Sequence, residues 1–200
     1  MRPLRAHAAN ALTALRVVLT PVFARLVYVG DTTLAGVLAA AIFAAVAASD
    51  VWDGRIARHW HSASPAGRAF DHFADISFIL VALATYAALG IAPWWVPASI
   101  AASFLFYVVD SWSRSAVPGG LIGSRIGHAA GVLNYALIGV LVGNDTVGIH
   151  LLSDGVLRVL FWLVPLYSGL AVGARLATRG TGGAYNAVQS AACSKANAAR

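Results

Sequence analysis

Apolar runs of about 17–22 residues recur along this chain, and each is long enough for a helix to cross the ~30 Å hydrocarbon core of a bilayer. Of the 200 residues, 59% are apolar and only 11% are charged; soluble domains carry about 25% charged residues. The sequence therefore predicts an all-α integral membrane bundle. Six transmembrane helices can be drawn, at about Asn10–Val29, Thr33–Trp60, Pro65–Leu89, Trp94–Trp112, Ser124–Val142 and Gly155–Ala177. The breaks between them are turn-forming: Gly30-Asp31-Thr32, Gly90-Ile91-Ala92-Pro93 and Pro118-Gly119-Gly120. Residues 1–177 are expected to form one membrane domain. Residues 178–200, with Gly180, Gly182 and Gly183, read as a flexible cytoplasmic tail. The first run carries Arg16 and Arg25 and shows no convincing cleavage site, so it reads as a retained helix rather than a signal peptide.

The net charge of +6 would point to nucleic acid in a soluble protein, but here the basic residues follow topology and no nucleic-acid partner is expected. Arg2, Arg5, Arg55, Arg58, Arg68, Arg114, Arg125, Arg175, Arg179, Lys195 and Arg200 all fall on one side of the predicted spans. The connections on the other side contain no Lys or Arg, and only Arg158 lies near them. By the positive-inside rule both termini face the cytoplasm, and the chain is expected in the cell (inner) membrane. Cys193 is the one cysteine, so no internal disulfide can form. Glycines four apart, at 123, 127 and 131, again at 139 and 143, and at 169 and 173, predict close helix–helix packing.

Against this background the acidic residues are concentrated. All eight are Asp, and Asp50, Asp53, Asp71 and Asp75 fall within one stretch of 26 positions. A carboxylate at mid-membrane costs roughly 2.5–3.5 kcal/mol on insertion scales, so four together require a cation, an aqueous cavity or both. Oxygen-only ligands at this density suit a hard divalent ion such as Mg²⁺, with Mn²⁺ as the other candidate. A Ser64-Pro65 start signal places the third helix antiparallel to the second, and the two pairs then reach one depth. The i,i+3 and i,i+4 spacings put each pair on one helix face. Gly67 shares the face of Asp71 and would let a ligand approach the backbone. The guanidinium of Arg58 could hold a diphosphate through paired hydrogen bonds. His59, His61 and His72 fit a solvated helix junction better than a His metal site.

The pattern Asp50-x2-Asp53-Gly54-x2-Ala57-Arg58-x8-Gly67-x3-Asp71-x3-Asp75 resembles the signature of the CDP-alcohol phosphotransferases, and every fixed position is filled. Asn10-Ala-Leu-Thr13-x2-Arg16, followed by Pro21, is similar to the first helix of the family's bacterial phosphatidyltransferases. The resemblance implies a reaction in which a CDP-linked lipid, most often CDP-diacylglycerol, gives its phosphatidyl group to the hydroxyl of a small polar alcohol and releases CMP. It implies that Asp50, Asp53, Asp71 and Asp75 hold two metal ions, that Asp75 is also the general base, and that the enzyme is a homodimer. Asn10, Thr13, Gly54, Ala57, Arg58, Ser64 and Gly67 would line the CDP pocket.

Departures fall where an acceptor would bind. Members that use glycerol 3-phosphate usually carry Lys after the last signature Asp and an Arg-Glu pair in the fourth span. This chain has Ile76 and Tyr107-Val-Val-Asp110-Ser-Trp-Ser-Arg114. Arg114, Arg125 and His128 are the acceptor candidates; alternatively, Arg114 pairs with Asp110, Arg125 is topology charge, and His128 is packed and hydrogen-bonded. A divalent-cation carrier is the competing function. Transport sites, however, usually lie at the midplane on broken helices, and these Asp residues sit towards one side without an adjacent break.

Overall fold

The computed structural model describes the backbone of residues 2–30, 32–60, 65–114, 121 and 125–198, and the side chains of 13–30, 32–49, 67, 69–114, 121 and 126–178. Among these residues the chain is helical throughout, with no strand. The helices are α1 (Arg2–Val29), α2 (Thr33–Trp60), α3 (Pro65–Ala88), α4 (Trp95–Arg114), α5 (Arg125–Leu141) and α6 (Asp154–Ala198), with a π-helical segment (Val142–Thr146) continuing α5. Three apolar segments among the described residues are long enough to cross a membrane: Ala69–Ala88, Ile126–Thr146 and Asp154–Thr178. Thr33–Ser49 is a shorter apolar stretch.

The bounds of α2 and the start of α3 agree with the sequence reading. Two other ends do not. Helix α1 begins at Arg2 rather than near Asn10, because Pro3 in a first turn removes no hydrogen bond a helix needs. Helix α6 runs on through Gly180, Gly182 and Gly183 to Ala198 instead of ending near Ala177. Each Gly costs about 1 kcal/mol relative to Ala but does not forbid helix, and the residues beyond are rich in Ala.

Helix α3 lies at the centre. It packs against α1, α4 and α5, while α1 also packs on α2 and α4 on α6. The α1 face turned inward is spaced three and four residues apart: Thr13, Arg16, Thr20, Phe23 and Val27 are all buried. That stripe is polar at one end and apolar at the other, and residues off it, such as Leu15, Val18 and Val22, are exposed. On α3 the matching face carries Asp71 and Asp75 at the same end, then Phe78, Ala82, Leu83 and Tyr86, which are fully buried. The Phe23 and Phe78 rings meet at 5.3 Å. Helix α3 ends in a Schellman motif: the Ile91 amide donates to the Tyr86 carbonyl and the Gly90 amide to the Ala87 carbonyl, both at 3.0 Å. Gly90 adopts φ 75° there, which a side chain would oppose.

The glycine expectation divides. A Cβ at Gly36 would lie 2.4 Å from the Thr146 carbonyl oxygen, so α2 meets the π segment at its backbone, and one at Gly139 would press on Phe43. At Gly131, Gly169 and Gly173 a Cβ would meet nothing within 4 Å. Among the described residues, then, those three glycines do not mark a close approach between helices. The end of the bundle beyond the π segment is tied by uncharged groups. The Tyr86 and Thr146 hydroxyls are 2.7 Å apart. The Asn144 side chain grips Leu152, donating to its carbonyl at 2.8 Å and accepting from its amide at 2.9 Å.

Candidate active site

Asp71 and Asp75, one helical turn apart on α3, both face α1. The Arg16 guanidinium lies between them: Nη1 donates to Asp71 Oδ1 at 3.3 Å and also to Asp75 Oδ1. Its other terminal nitrogen, Nη2, donates to Ser49 Oγ on α2 at 3.1 Å. Arg16 is only 1% exposed, whereas the side chains of Asp71 and Asp75 keep 37% and 19% of their surface. An Arg in an apolar helix must find partners, and this one draws three helices onto one point. Thr13, one turn before Arg16, donates from Oγ1 to Asp71 Oδ1 at 3.1 Å. Tyr135 on α5 donates from its hydroxyl to Asp75 Oδ1 at 3.2 Å. The Tyr135 ring is held by stacking on Phe78 at 6.0 Å. Asp75 is therefore fixed from two helices besides its own.

These are hard oxygen donors on one helix face, already organised around a positive group, which is the chemistry a divalent ion requires. Among the described residues no three Asp, Glu, His or Cys side chains gather as a metal cluster. Asp50 and Asp53 lie on the helical backbone of α2, beside and just beyond Ser49, but their side chains are outside the described residues. The same holds for the side chains of Asn10, Ala57, Arg58 and Arg125, all on helical backbone; Gly54 is likewise helical, and Ser64 is not described at all. Gly67 sits partly buried in the first turn of α3, one turn before Asp71. Of the predicted pocket residues, Thr13, Gly67, Asp71 and Asp75 thus share one end of the α1–α3 seam.

A second charged cluster adjoins the first. Asp110 on α4 is 0% exposed and accepts from two guanidiniums at Oδ2: Arg114 one turn on, and Arg175 of α6 at 2.7 Å. Arg114 also reaches Thr178 Oγ1 at 3.5 Å. Arg175 donates to Ser111 Oγ at 3.4 Å and lies 4.3 Å over the Tyr107 ring. The Tyr107 ring is also 5.6 Å from that of His72, the neighbour of Asp71. Arg114 thus takes the Asp110 pairing foreseen for it, yet keeps 30% of its side chain open. His128 is exposed, so it is not the packed residue its apolar surroundings suggest; the small residues beside it leave it uncovered.

Arg16, Ser49, Tyr135, Asp110 and Arg175 are site residues that sequence reasoning did not assign. A signal existed for Arg16, a charge three residues after Thr13 and so on the same face of an apolar helix. For Tyr135, an aromatic in an apolar run, there was none.

Asp71 and Asp75 of α3 thus face a polar stripe on α1, and the backbone of Asp50 and Asp53 lies on α2 close to Ser49. The chain belongs to the CDP-alcohol phosphatidyltransferase family, whose sequence profile matches residues 6–169. Among curated proteins it is similar to a "probable phosphatidylglycerophosphate synthase" of Mycobacterium tuberculosis, found in strains CDC 1551 / Oshkosh and ATCC 25618 / H37Rv. The two are 41% identical over 93 residues, 46% of this chain and 44% of the relative. The matched stretch thus spans less than half the length of those relatives.

Proposed function

We propose that this protein transfers the phosphatidyl group of a CDP-linked lipid, CDP-diacylglycerol in the first instance, to the hydroxyl of a small polar alcohol, releasing CMP. The observation that carries the reading is the convergence of Thr13, Asp71 and Asp75 at one end of the α1–α3 seam, within a chain of this family. Asp50, Asp53, Asp71 and Asp75 would hold divalent ions, Mg²⁺ or Mn²⁺ and two in number. When bound, such ions supply charge neutralisation at the phosphoryl oxygens. Asp75 accepts the proton of the acceptor hydroxyl while that oxygen bonds to the lipid-bearing phosphorus and the bond to CMP breaks. Tyr135 orients the Asp75 carboxylate, and Thr13 that of Asp71. Asn10, Gly54, Ala57, Arg58, Ser64 and Gly67 form the CDP pocket in this proposal.

Arg114, beside the buried Asp110 and Arg175, is the acceptor contact we favour, because two guanidiniums on one carboxylate leave a positive excess that suits a phosphorylated alcohol. The name of the similar mycobacterial proteins implies a glycerol phosphate acceptor. Ile76 and the Tyr107–Arg114 segment depart from that pattern, so the acceptor is to be found by assay. Purified protein is supplied with CDP-diacylglycerol and glycerol 3-phosphate, serine, inositol or inositol phosphate, with and without divalent metal. Metal-dependent CMP release with one acceptor is the expected result; cation flux without CMP release would instead support the carrier. We place the protein in the cell membrane as a homodimer with the site facing the cytoplasm.

A further inference from the structure

We propose that Arg16 is a resident counter-cation, which holds the Asp71–Asp75 pair in register and competes with divalent metal for the same oxygens. The inference rests on the reading of these carboxylates as metal ligands. Two carboxylates one turn apart on a helix repel each other, and water screens this partly open pair only in part. A guanidinium stays charged under all conditions a protein meets. That of Arg16 is buried and addresses Oδ1 of both residues from a single nitrogen. Ser49 Oγ, itself fixed by donating to the Val46 carbonyl at 2.8 Å, holds the other arm. The Thr20 hydroxyl donates to the Arg16 carbonyl at 2.8 Å, one turn further along the buried stripe.

An octahedral divalent ion takes its oxygen ligands at about 2.0–2.1 Å. An ion held by Asp71 and Asp75 would bring a second positive charge close to the Arg16 guanidinium, and the two repel. Arg16 would therefore weaken the hold of these carboxylates on a metal ion. The carboxylate pair is held together by Arg16, and the metal affinity is set lower than the carboxylates alone would give. Arg16 is thus a positioning residue for the ligands and a competitor of what they bind.

The test uses the full-length protein in detergent, without nucleotide, and follows thermal unfolding as MgCl₂ or MnCl₂ is titrated. Arg16→Gln should unfold at a lower temperature than wild type without metal. Its metal concentration for half-maximal stabilisation should fall about five- to tenfold, as expected when one nearby unit charge is removed. Ser49→Ala, which keeps the charge but frees its second arm, should shift that midpoint the same way by less. A purely structural Arg16 would change the unfolding temperature and leave the midpoint where it is, and that result overturns the proposal. A higher midpoint in Arg16→Gln overturns it too. Should Arg16→Gln fail to fold, the Ser49→Ala midpoint decides: lower supports, unchanged overturns. Metal-dependent stabilisation with equal midpoints removes this inference alone. If wild type shows no metal-dependent stabilisation at all, the metal reading of the site falls with it.

Discussion

Helix α3 touches two Arg–Asp clusters of opposite composition. Where it meets α1, one described guanidinium serves two carboxylates, and both carboxylates keep some of their surface. Where its His72 meets Tyr107, one wholly buried carboxylate serves two guanidiniums. The difference is physical. A fully buried carboxylate persists only when it is more than matched by donors, since the desolvation of an ion is large. A pair of carboxylates that keeps part of its surface open can be approached by a further cation. The first cluster thus stays accessible, whereas the second buries its carboxylate between α4 and α6 and leaves Arg114 partly open.

That contrast can be broken by substitutions that should affect activity at one cluster and stability at the other. Asp75→Asn is expected to reduce CMP release by about 10²–10⁴-fold, the range for losing a general base. Its unfolding temperature should stay close to that of wild type, and an active Asp75→Asn enzyme would remove the assigned base. Asp110→Asn should act the other way. It strands two guanidiniums, at a cost of about 3–5 kcal/mol, read as a large drop in thermal stability in detergent. A stable but inactive Asp110→Asn protein would mean that the second cluster, too, does chemistry. Tyr135→Phe keeps the ring on Phe78 and loses the hydroxyl on Asp75, so activity should fall about tenfold with little change in stability. Arg114→Gln should be the mildest for the fold, about 1 kcal/mol or less because the side chain is partly solvated. It sharpens the contrast if KM rises several-fold for a phosphorylated acceptor and not for an uncharged one.

Much of this was legible before any coordinates. The i,i+4 spacing of Asp71 and Asp75 placed them on one face, and Ser64-Pro65 and Gly90 marked the ends of α3. What could not be read was which helix would cover that face. Arg16 was visible as a charge in an apolar run, but its partners depend on α1 packing against α3, a tertiary fact no spacing reports. Arg175 shows the same limit from the other side. Counted as topology charge, it is in fact buried and bound to Asp110. Tyr135 and Tyr86 both lie in apolar runs, and only packing decides that the first hydroxyl meets Asp75 and the second Thr146. The helix end at Ala198 was missed because glycines were given the weight of breakers, although they only lower helix propensity.

His72 follows Asp71 by one residue, about 100° further round the same helix, so α3 presents one flank to each cluster. Any roll of α3 about its long axis that improved the grip on one side would loosen it on the other. The aromatic rows further along, with Phe78 wedged between Phe23 and Tyr135, act as a keel against such rotation. These rings thereby fix how the two flanks of α3 stand relative to α1 and α4.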